Sequence, residues 1–236
     1  MSQSTPTREV ARRTFASEFN DAGYTFKESD DERAPVYLLL PTGESANRVF
    51  FVGTLTERED VGEDNEYWRA RIVDPTGTFF VYAGQYQPEA ASAIRELEPP
   101  AYVAVVGKPR TYETDDGTIR VSVRPESITE VDAEVRDRWV VETAERTLER
   151  VAAFEEDGNE YARMAREQYE LDPETYKAAA LSALEDLDET DELSDGGTVT
   201  GGSADDSTDG SADDSTDGSA DESTDDAADA ADAPEP

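Results

Sequence analysis

YWRARIVDPTGTFFVYAGQY, residues 67–86, is the stretch of sequence that decides the fold. Its centre, DPTG (residues 74–77), combines a side-chain acceptor, a fixed backbone angle and a residue without a Cβ, which together favour a tight turn. On both sides of this turn, polar and apolar side chains alternate with the period of a β-strand. The stretch therefore predicts a β-hairpin with Phe79 and Val81 on its buried face.

The outer face of the predicted hairpin combines cations with flat rings. It carries Arg69, Arg71, Phe80 and Tyr82, and Tyr86 lies just beyond the hairpin. Because guanidinium groups hold phosphates and aromatic rings stack on bases, this combination indicates a surface for single-stranded nucleic acid. The same residue types are also tolerated on the outer face of any half-exposed sheet. The hairpin alone leaves both interpretations open.

Further strands and one helix surround the hairpin in a defined order. A strand is predicted over residues 48–56, a short helix over 88–97, and two more strands over 102–108 and 119–128. Three strands, one helix and two strands are the order of a five-stranded Greek-key barrel, the OB-fold. A small β-sandwich has a similar number of strands, but it does not usually place one helix between the third and fourth. We expect a mainly β protein with flanking helices.

The last two predicted strands extend the candidate surface. Residues 111–117 are predicted to form a polar loop between these strands. Ile119, Val121 and Val123 are expected to face inward, and Arg120 and Arg124 outward. The complete set of candidate nucleic-acid-binding residues is Arg69, Arg71, Phe80, Tyr82, Tyr86, Lys108, Arg110, Tyr112, Arg120 and Arg124.

An N-terminal helix is predicted to precede the barrel. It is expected over residues 5–21, with Val10, Phe15 and Phe19 on one apolar side. A charged loop then leads to a short strand or extended arm over residues 36–40, which we expect to pack beside the main sheet.

The region after the barrel is predicted to be helical. A long helix is expected over residues 132–156, and shorter ones over 161–169 and 173–187. Large aromatic residues recur along these helices, either as part of the core, where a regular stripe normally lies, or as an exposed face that binds a partner. Trp139 is most simply a core anchor against the barrel. The candidate partner-binding residues are Trp139, Tyr161, Tyr169 and Tyr176.

The C-terminal end of the chain is repetitive. GSADDSTD occurs at residues 202–209 and again at 210–217, and recurs with one change at 218–225. An eight-residue repeat without apolar anchors cannot bury a core, so a disordered tail is expected. The predicted organisation is an N-terminal helix and arm (1–46), an OB-fold barrel (47–131), a C-terminal helical region (132–187) and a disordered acidic tail (188–236).

Acidic residues dominate the 236-residue chain, which has 57 Asp and Glu, 21 Lys and Arg, and a formal net charge of −36. Residues 188–236 hold 18 acidic residues and no basic residue, so half of the net charge belongs to residues 1–187. An acid excess spread over the folded region is expected of a halophilic protein that stays soluble in concentrated salt. The Debye length there is about 3 Å, so the net charge does not exclude a nucleic-acid ligand.

The sequence contains no cysteine and no histidine, which limits the chemistry available to it. Disulfides, thiol nucleophiles, Ser-His-Asp triads and the usual zinc ligands are excluded, and no cofactor or metal ion is expected. No apolar run approaches the roughly 18 residues of a membrane span, and residues 1–13 lack the apolar core of a secretion signal. The expectation is a soluble, cytoplasmic protein.

Several motifs resemble those of a known family. RARIVDPTGTFFVYAG is similar to the second-to-third-strand signature of the single-strand-binding OB-folds of the replication protein A group. Residues 35–155 more specifically resemble the replication protein A-associated family of haloarchaea. The resemblance rests on LPTG at 40–43, NRVFFVGTLTE at 47–57, DPTGTFFVYAGQYQPEA at 74–90, AVVGKPR at 104–110, SVRPESI at 122–128 and RDRWVVETAERTLER at 136–150.

The resemblance implies a small subunit that forms a complex with a large replication protein A and assists DNA replication and repair. In related OB-folds, bases stack on aromatic residues near the end of the third strand and in the loop between the fourth and fifth. The matching candidates are Tyr82 and Tyr86 at the first place and Tyr112 at the second. The chain departs from the related large subunits at Gly84, close to where an aromatic residue is often found.

Three hypotheses follow. The leading one is a non-enzymatic single-stranded DNA-binding subunit, whose rings stack on bases and whose arginines and lysine hold phosphates. The alternative is a structural subunit that docks the large replication protein A and contacts DNA little or not at all. An enzyme is the weakest hypothesis, because no pair of carboxylates stands out from the solvated acidic surface.

Overall fold

The computed structural model describes residues 9–156 and 158–195 and contains nine strands and five helices within them. The predicted acidic repeats lie outside the described residues. In chain order the elements are β1 (Arg12–Arg13), α1 (Ala16–Asp21), β2 (Thr25–Lys27), β3 (Val36–Leu40), β4 (Glu44–Ala46), β5 (Val49–Asp60), β6 (Trp68–Asp74), β7 (Gly77–Ala83), α2 (Pro88–Glu96), β8 (Ala101–Glu113), β9 (Ile119–Glu130), α3 (Ala133–Ala152), α4 (Glu160–Gln168) and α5 (Glu174–Asp195).

Five of the strands close into a barrel. Hydrogen bonds join them in the order β5-β6-β7-β9-β8, and β8 pairs again with β5 to complete the ring. The contact between β7 and β9 is parallel and the other four are antiparallel. The single helix between the third and fourth barrel strands is α2. This is the topology of an OB-fold, and the predicted fold class is confirmed.

The barrel core follows the predicted alternation of the hairpin. Phe79 and Val81 are fully buried, and the Phe79 ring stacks on Phe51 of β5 with centroids 3.9 Å apart. Ile94 of α2 and Phe19 of α1 are also fully buried in this core. The Phe19 and Phe79 rings lie 5.3 Å apart, so α1 packs on the hairpin.

A second, three-stranded antiparallel sheet in the order β2-β3-β4 lies outside the barrel. It shares a small apolar cluster with α4, to which Leu39 and Ala162 belong. Gly43, in the LPTG turn between β3 and β4, has a φ of +83°. A Cβ on Gly43 would lie 2.5 Å from the Cα of Ala162, so both the turn and the approach of α4 require glycine here.

The N-terminal helix is shorter than predicted. Residues 12–13 instead form β1, which pairs in parallel with β5, and Val10 is 76% exposed. The helix begins at Ala16 because its first free amides find acceptors in the hairpin turn. Ala16 N donates to Asp74 Oδ2 at 2.7 Å and Ser17 N donates to Thr76 Oγ1 at 3.1 Å. Such bonds satisfy the free N–H groups of a helix start.

The β8–β9 hairpin is longer than predicted. Residues 111–113 belong to β8 rather than to a loop, and the turn is confined to residues 114–118. Val121 and Val123 are buried as expected, but Ile119 is 47% exposed. The prediction for Ile119 was wrong because the hairpin extends beyond the barrel, where neither face is enclosed.

The helical region after the barrel also differs from the prediction at its end. The predicted long helix is α3. Trp139 anchors it to the barrel, because its Nε1 donates to Phe50 O of β5 at 3.4 Å, and its ring makes an edge contact of 5.5 Å with Phe15 beside α1. The last helix continues to Asp195 instead of ending near residue 187. In the part of the chain that the structure describes, no helix is long and apolar enough to cross a membrane.

Candidate nucleic-acid interface

Two rows of side chains run across the outer surface of β5, β6 and β7. The register places a carboxylate on β5, an arginine on β6 and an aromatic ring on β7 next to one another in each row. Because the residues between them, such as Ala70 and Val81, are buried, all members of both rows face away from the core. The rows are Glu57–Arg71–Phe80 and Glu59–Arg69–Tyr82.

The arginines of both rows are paired with the carboxylates. Arg69 Nη2 lies 2.7 Å from Glu59 Oε2, and Arg71 Nη1 lies 3.0 Å from Glu57 Oε1. Both arginine side chains are 42% exposed, so each pair is screened by solvent and contributes little to stability. A phosphate can bind these arginines only in competition with the carboxylates.

The aromatic residues of the two rows differ in accessibility. Phe80 is 36% exposed, as predicted for the outer face. Tyr82 is half-buried because the ring of Tyr67, from the loop between β5 and β6, stacks on it with centroids 5.8 Å apart and an interplanar angle of 22°. Tyr67 itself is 39% exposed. The outermost ring of this pair is therefore Tyr67, which was not among the predicted site residues.

Gly84 explains how Tyr67 reaches this position. A Cβ on Gly84 would lie 2.7 Å from Cδ2 of the Tyr67 ring, so any side chain here would displace that ring. The loop is held by Asp60, whose Oδ1 accepts hydrogen bonds from Gly62 N at 3.1 Å and Tyr67 N at 2.9 Å. Related proteins often have an aromatic residue close to the position of Gly84. Its absence from this sequence was the one signal that could have indicated that another ring, here that of Tyr67, occupies the space.

Burial also affects the pKa of the hydroxyl groups of Tyr67 and Tyr82. It raises the pKa of Tyr67, against a smaller opposite effect of Arg124. It likewise raises the pKa of Tyr82, and Tyr112 adds to the shift while Arg69 opposes it. Both phenols are therefore neutral hydrogen-bond donors at physiological pH, and they add no negative charge that would repel a phosphate.

The remaining cations lie on β8 and β9. Lys108 is opposite Arg124 in the register, and Tyr112 is opposite Arg120. Because Val81 of β7 is opposite Val123 of β9, the outward-facing residues that follow them, Tyr82 and Arg124, are neighbours. Within residues 9–156 and 158–195, no carboxylate lies within 4 Å of the charged nitrogens of Lys108, Arg110, Arg120 or Arg124.

Three predicted residues share one groove. Tyr86, Lys108 and Arg124 line an open groove of about 450 Å³ beside the start of α2. Tyr86 is 69% exposed there. Glu89 and Glu126 also line the groove, so the local charge is mixed. Tyr112 and Arg120 lie farther along the β8–β9 hairpin, towards its turn.

The aromatic residues predicted to bind a partner lie against other parts of this chain. Trp139 and Tyr176 are only 2% exposed. The Tyr176 hydroxyl donates to Asp21 Oδ2 at 2.9 Å, and the Tyr169 hydroxyl donates to Leu39 O at 2.7 Å. These interactions fasten the C-terminal helices to the N-terminal region, and burial raises the pKa of Tyr169 to about 12.

Tyr161 is partly exposed, unlike Trp139 and Tyr176, and its hydroxyl donates to Glu28 at 2.6 Å. The structure thus favours the core interpretation of the aromatic stripe. Trp139 and Tyr176 in particular have no free surface to offer a partner, because their rings are packed inside the fold.

Comparison with known proteins identifies similar barrels but no family. No protein-family model and no curated protein sequence matches the chain. Among solved structures, the second single-stranded DNA-binding protein of Mycobacterium smegmatis matches with a TM-score of 0.31 and 19% identity, over 36% of this chain and 86% of that one.

Two further structures match to a similar degree. The mitochondrial single-stranded DNA-binding protein of S. cerevisiae has a TM-score of 0.30 and 20% identity, over 36% of this chain and 94% of that one. An OBody bound to hen egg-white lysozyme has a TM-score of 0.30 and 16% identity, over 36% of this chain and 80% of that one. Similarity at this level covers about a third of the chain and does not assign a function.

Proposed function

We propose that the chain is a non-enzymatic, single-stranded DNA-binding subunit of a replication protein A-type complex that acts in DNA replication and repair. The observation that supports the proposal is the continuity of one outer face. Exposed rings on β7 and the loop before β6 adjoin cations on β8 and β9 that have no carboxylate within 4 Å among residues 9–156 and 158–195, so one face offers stacking to bases and positive charge to phosphates. Membership of the haloarchaeal replication protein A-associated family and a cytoplasmic location are parts of the same proposal.

Stacking should supply most of the affinity in concentrated salt. The contribution from counterion release falls as salt rises, whereas base–aromatic stacking does not depend on it. The exposed rings of this face are Phe80 and Tyr67, and Tyr82 stacks beneath Tyr67. Lys108 and Arg124 are the cations nearest to them that have no carboxylate partner in the described part of the chain.

The second candidate is a docking subunit that binds the large replication protein A and contacts DNA little. The pairing of Arg69 with Glu59 and of Arg71 with Glu57 favours it, because two predicted phosphate-binding groups are already neutralised. Docking through the buried Trp139 and Tyr176 is not compatible with the fold, so a partner would have to contact exposed residues of the helices.

The test is the binding of a labelled oligothymidine to the purified chain, followed by fluorescence anisotropy over a range of KCl concentrations. The parent chain should bind in concentrated KCl. Phe80→Ala should weaken binding at every salt concentration, because it removes a ring. The double variant Lys108→Ala, Arg124→Ala should weaken binding mainly at the lower salt concentrations.

Arg138 and Arg146 on α3 provide the matched control, since both are exposed and remote from the barrel face in sequence. The double variant Arg138→Ala, Arg146→Ala removes the same charge and should bind like the parent. Absence of any oligothymidine binding by the folded parent chain would contradict the proposal and favour the docking subunit.

A further inference from the structure

The position of Tyr67 carries an inference that rests on the proposed function and makes it more specific. The Tyr67 and Tyr82 rings are 5.8 Å apart, which leaves no space for a base between them. A base that stacks on this part of the face therefore meets Tyr67 first, while one face of the Tyr82 ring is covered. The half-buried Tyr82 and the more exposed Tyr67 agree with this order.

We propose that Tyr67, held by the loop between β5 and β6, is the stacking ring at this position, and that Tyr82 supports it from below. Gly84 provides the space for this arrangement. The nearest atoms to a Cβ on Gly84 are Cδ2 and Cε2 of Tyr67 at 2.7 and 3.2 Å, and the next is a backbone oxygen of Glu66 at 3.7 Å. The Tyr67 ring is thus the group that a Cβ on Gly84 would displace.

Asp60 is the positioning residue for this ring. Its Oδ1 accepts the backbone N–H groups of Gly62 and Tyr67, and Val61 N donates to Tyr67 O at 2.9 Å. The bonds close the loop on itself and fix the backbone from which the Tyr67 ring extends. Asp60 needs only an acceptor oxygen for this role, not a negative charge.

The decisive experiment moves the ring from one backbone position to the other. Tyr67→Ala should weaken oligothymidine binding in concentrated KCl about five- to 150-fold, the range expected for loss of one stacked base. Tyr67→Phe keeps the ring and should bind like the parent. In the double variant Tyr67→Ala, Gly84→Tyr, the ring introduced at position 84 extends into the space that the Tyr67 ring has left. This variant should recover most of the lost affinity.

The backbone at Gly84 permits this exchange, because it does not have the positive φ that disfavours other residues. Near-ultraviolet circular dichroism and the thermal midpoint of each variant serve to show that the fold is retained. Tyr67→Ala binding that is unchanged or tighter would overturn the inference, because Tyr67 would then merely cover Tyr82. Failure of the double variant to recover binding would also overturn it, because the position of the ring would not be what matters.

The positioning role of Asp60 has its own test. Asp60→Ala should weaken binding although every ring is retained, and Asp60→Asn, which keeps an acceptor oxygen, should restore it. If both variants bind more tightly, Asp60 acts through its charge and the positioning role is wrong. The proposed function fails separately, when the folded parent chain does not bind oligothymidine at all.

Discussion

Glu57 and Glu59 show how a single extra residue in a strand changes the chemistry of a surface. Leu55 is opposite Ile72, and both side chains are buried. A bulge between Leu55 and Glu57 shifts the register by one residue, so that Glu57 lies opposite Arg71. Without the bulge, both glutamates would point to the side of the core. The sequence contains no clear signal for this shift, so the pairing of the candidate residues Arg69 and Arg71 with glutamates could not be predicted.

Removing these two carboxylates should strengthen DNA binding. The double variant Glu57→Gln, Glu59→Gln frees Arg69 and Arg71 and deletes two negative charges from the face. Because exposed ion pairs are weak and sensitive to salt, we expect about a two- to tenfold gain in affinity for oligothymidine at low KCl and little change in concentrated KCl. Anisotropy titrations should be made down to the lowest salt at which the chain remains folded.

The control for this prediction is a pair of glutamates on α3. Glu134 and Glu149 also form exposed ion pairs with arginines, so Glu134→Gln, Glu149→Gln changes the net charge equally. A gain of the same size in the control would show that only the net charge matters. No gain in either variant would mean that the arginines of the barrel face do not contact DNA.

The two faces of the β6–β7 hairpin could be predicted from the sequence, but the position of the Tyr67 ring could not. The alternation of polar and apolar residues correctly placed Phe79 and Val81 inside and Phe80 outside, because successive side chains of a strand point to opposite faces of the sheet. Tyr67 lies in a loop whose conformation depends on hydrogen bonds to Asp60, and no periodicity describes such a segment. Its stacking on Tyr82 could be recognised only in three dimensions.

At the scale of elements, α1 shows why helix boundaries were the weakest predictions. The local sequence predicted a helix start near residue 5, but the helix begins at Ala16, where the acceptors are Asp74 and Thr76, about sixty residues away in the chain. Burial raises the pKa of Asp74 to about 6, although four hydrogen bonds to its carboxylate act in the opposite direction. The DPTG segment therefore both turns the hairpin and starts a helix.

A buried ion pair joins three elements that sequence reasoning treated separately. Glu18 of α1 is 1% exposed, and its Oε2 lies 2.6 Å from Nη2 of Arg150 on α3. Arg150 Nε also donates to Thr42 Oγ1 at 2.7 Å, and the Thr42 hydroxyl bonds to Glu18. Thr42 belongs to the LPTG turn. The network thus gives the LPTG motif a structural role that the sequence alone did not predict.

Loss of Arg150 should destabilise the chain strongly. Arg150→Met leaves the buried carboxylate of Glu18 without its cation, which typically costs about 3–5 kcal/mol in the free energy of unfolding. Because the pair is buried, the loss should persist in concentrated KCl, where exposed ion pairs are screened. Chemical denaturation followed by circular dichroism, in high and moderate salt, measures both effects.

Arg146 lies one turn earlier on the same helix and provides the comparison. It pairs with Glu149 in solvent, so Arg146→Met should leave the unfolding midpoint nearly unchanged. If the two variants were equally stable, the interaction of Arg150 with Glu18 and Thr42 would not be holding α3 to α1 and the LPTG turn.

At the scale of the whole molecule, negative charge is the dominant property. The formal net charge is −36, and half of it lies within residues 1–187. Several arginines of the described surface are already paired with carboxylates, among them Arg69 and Arg71. The folded state brings these charges together, whereas the unfolded chain separates them.

The chain should therefore lose stability as salt is removed. Lowering KCl to about 0.1 M extends the Debye length to about 10 Å, from about 3 Å at 1 M, and lets carboxylates repel one another across the surface. Thermal midpoints from near-ultraviolet circular dichroism should fall steadily with decreasing KCl.

The comparison that locates the repulsion is a chain that ends at Asp195, which lacks 13 of the acidic residues. If the repulsion arises within the folded region, the shortened chain should show the same dependence on KCl as the parent. A midpoint that does not change with salt in either chain would contradict the halophilic interpretation, and a dependence that disappears on shortening would assign the repulsion to residues 196–236.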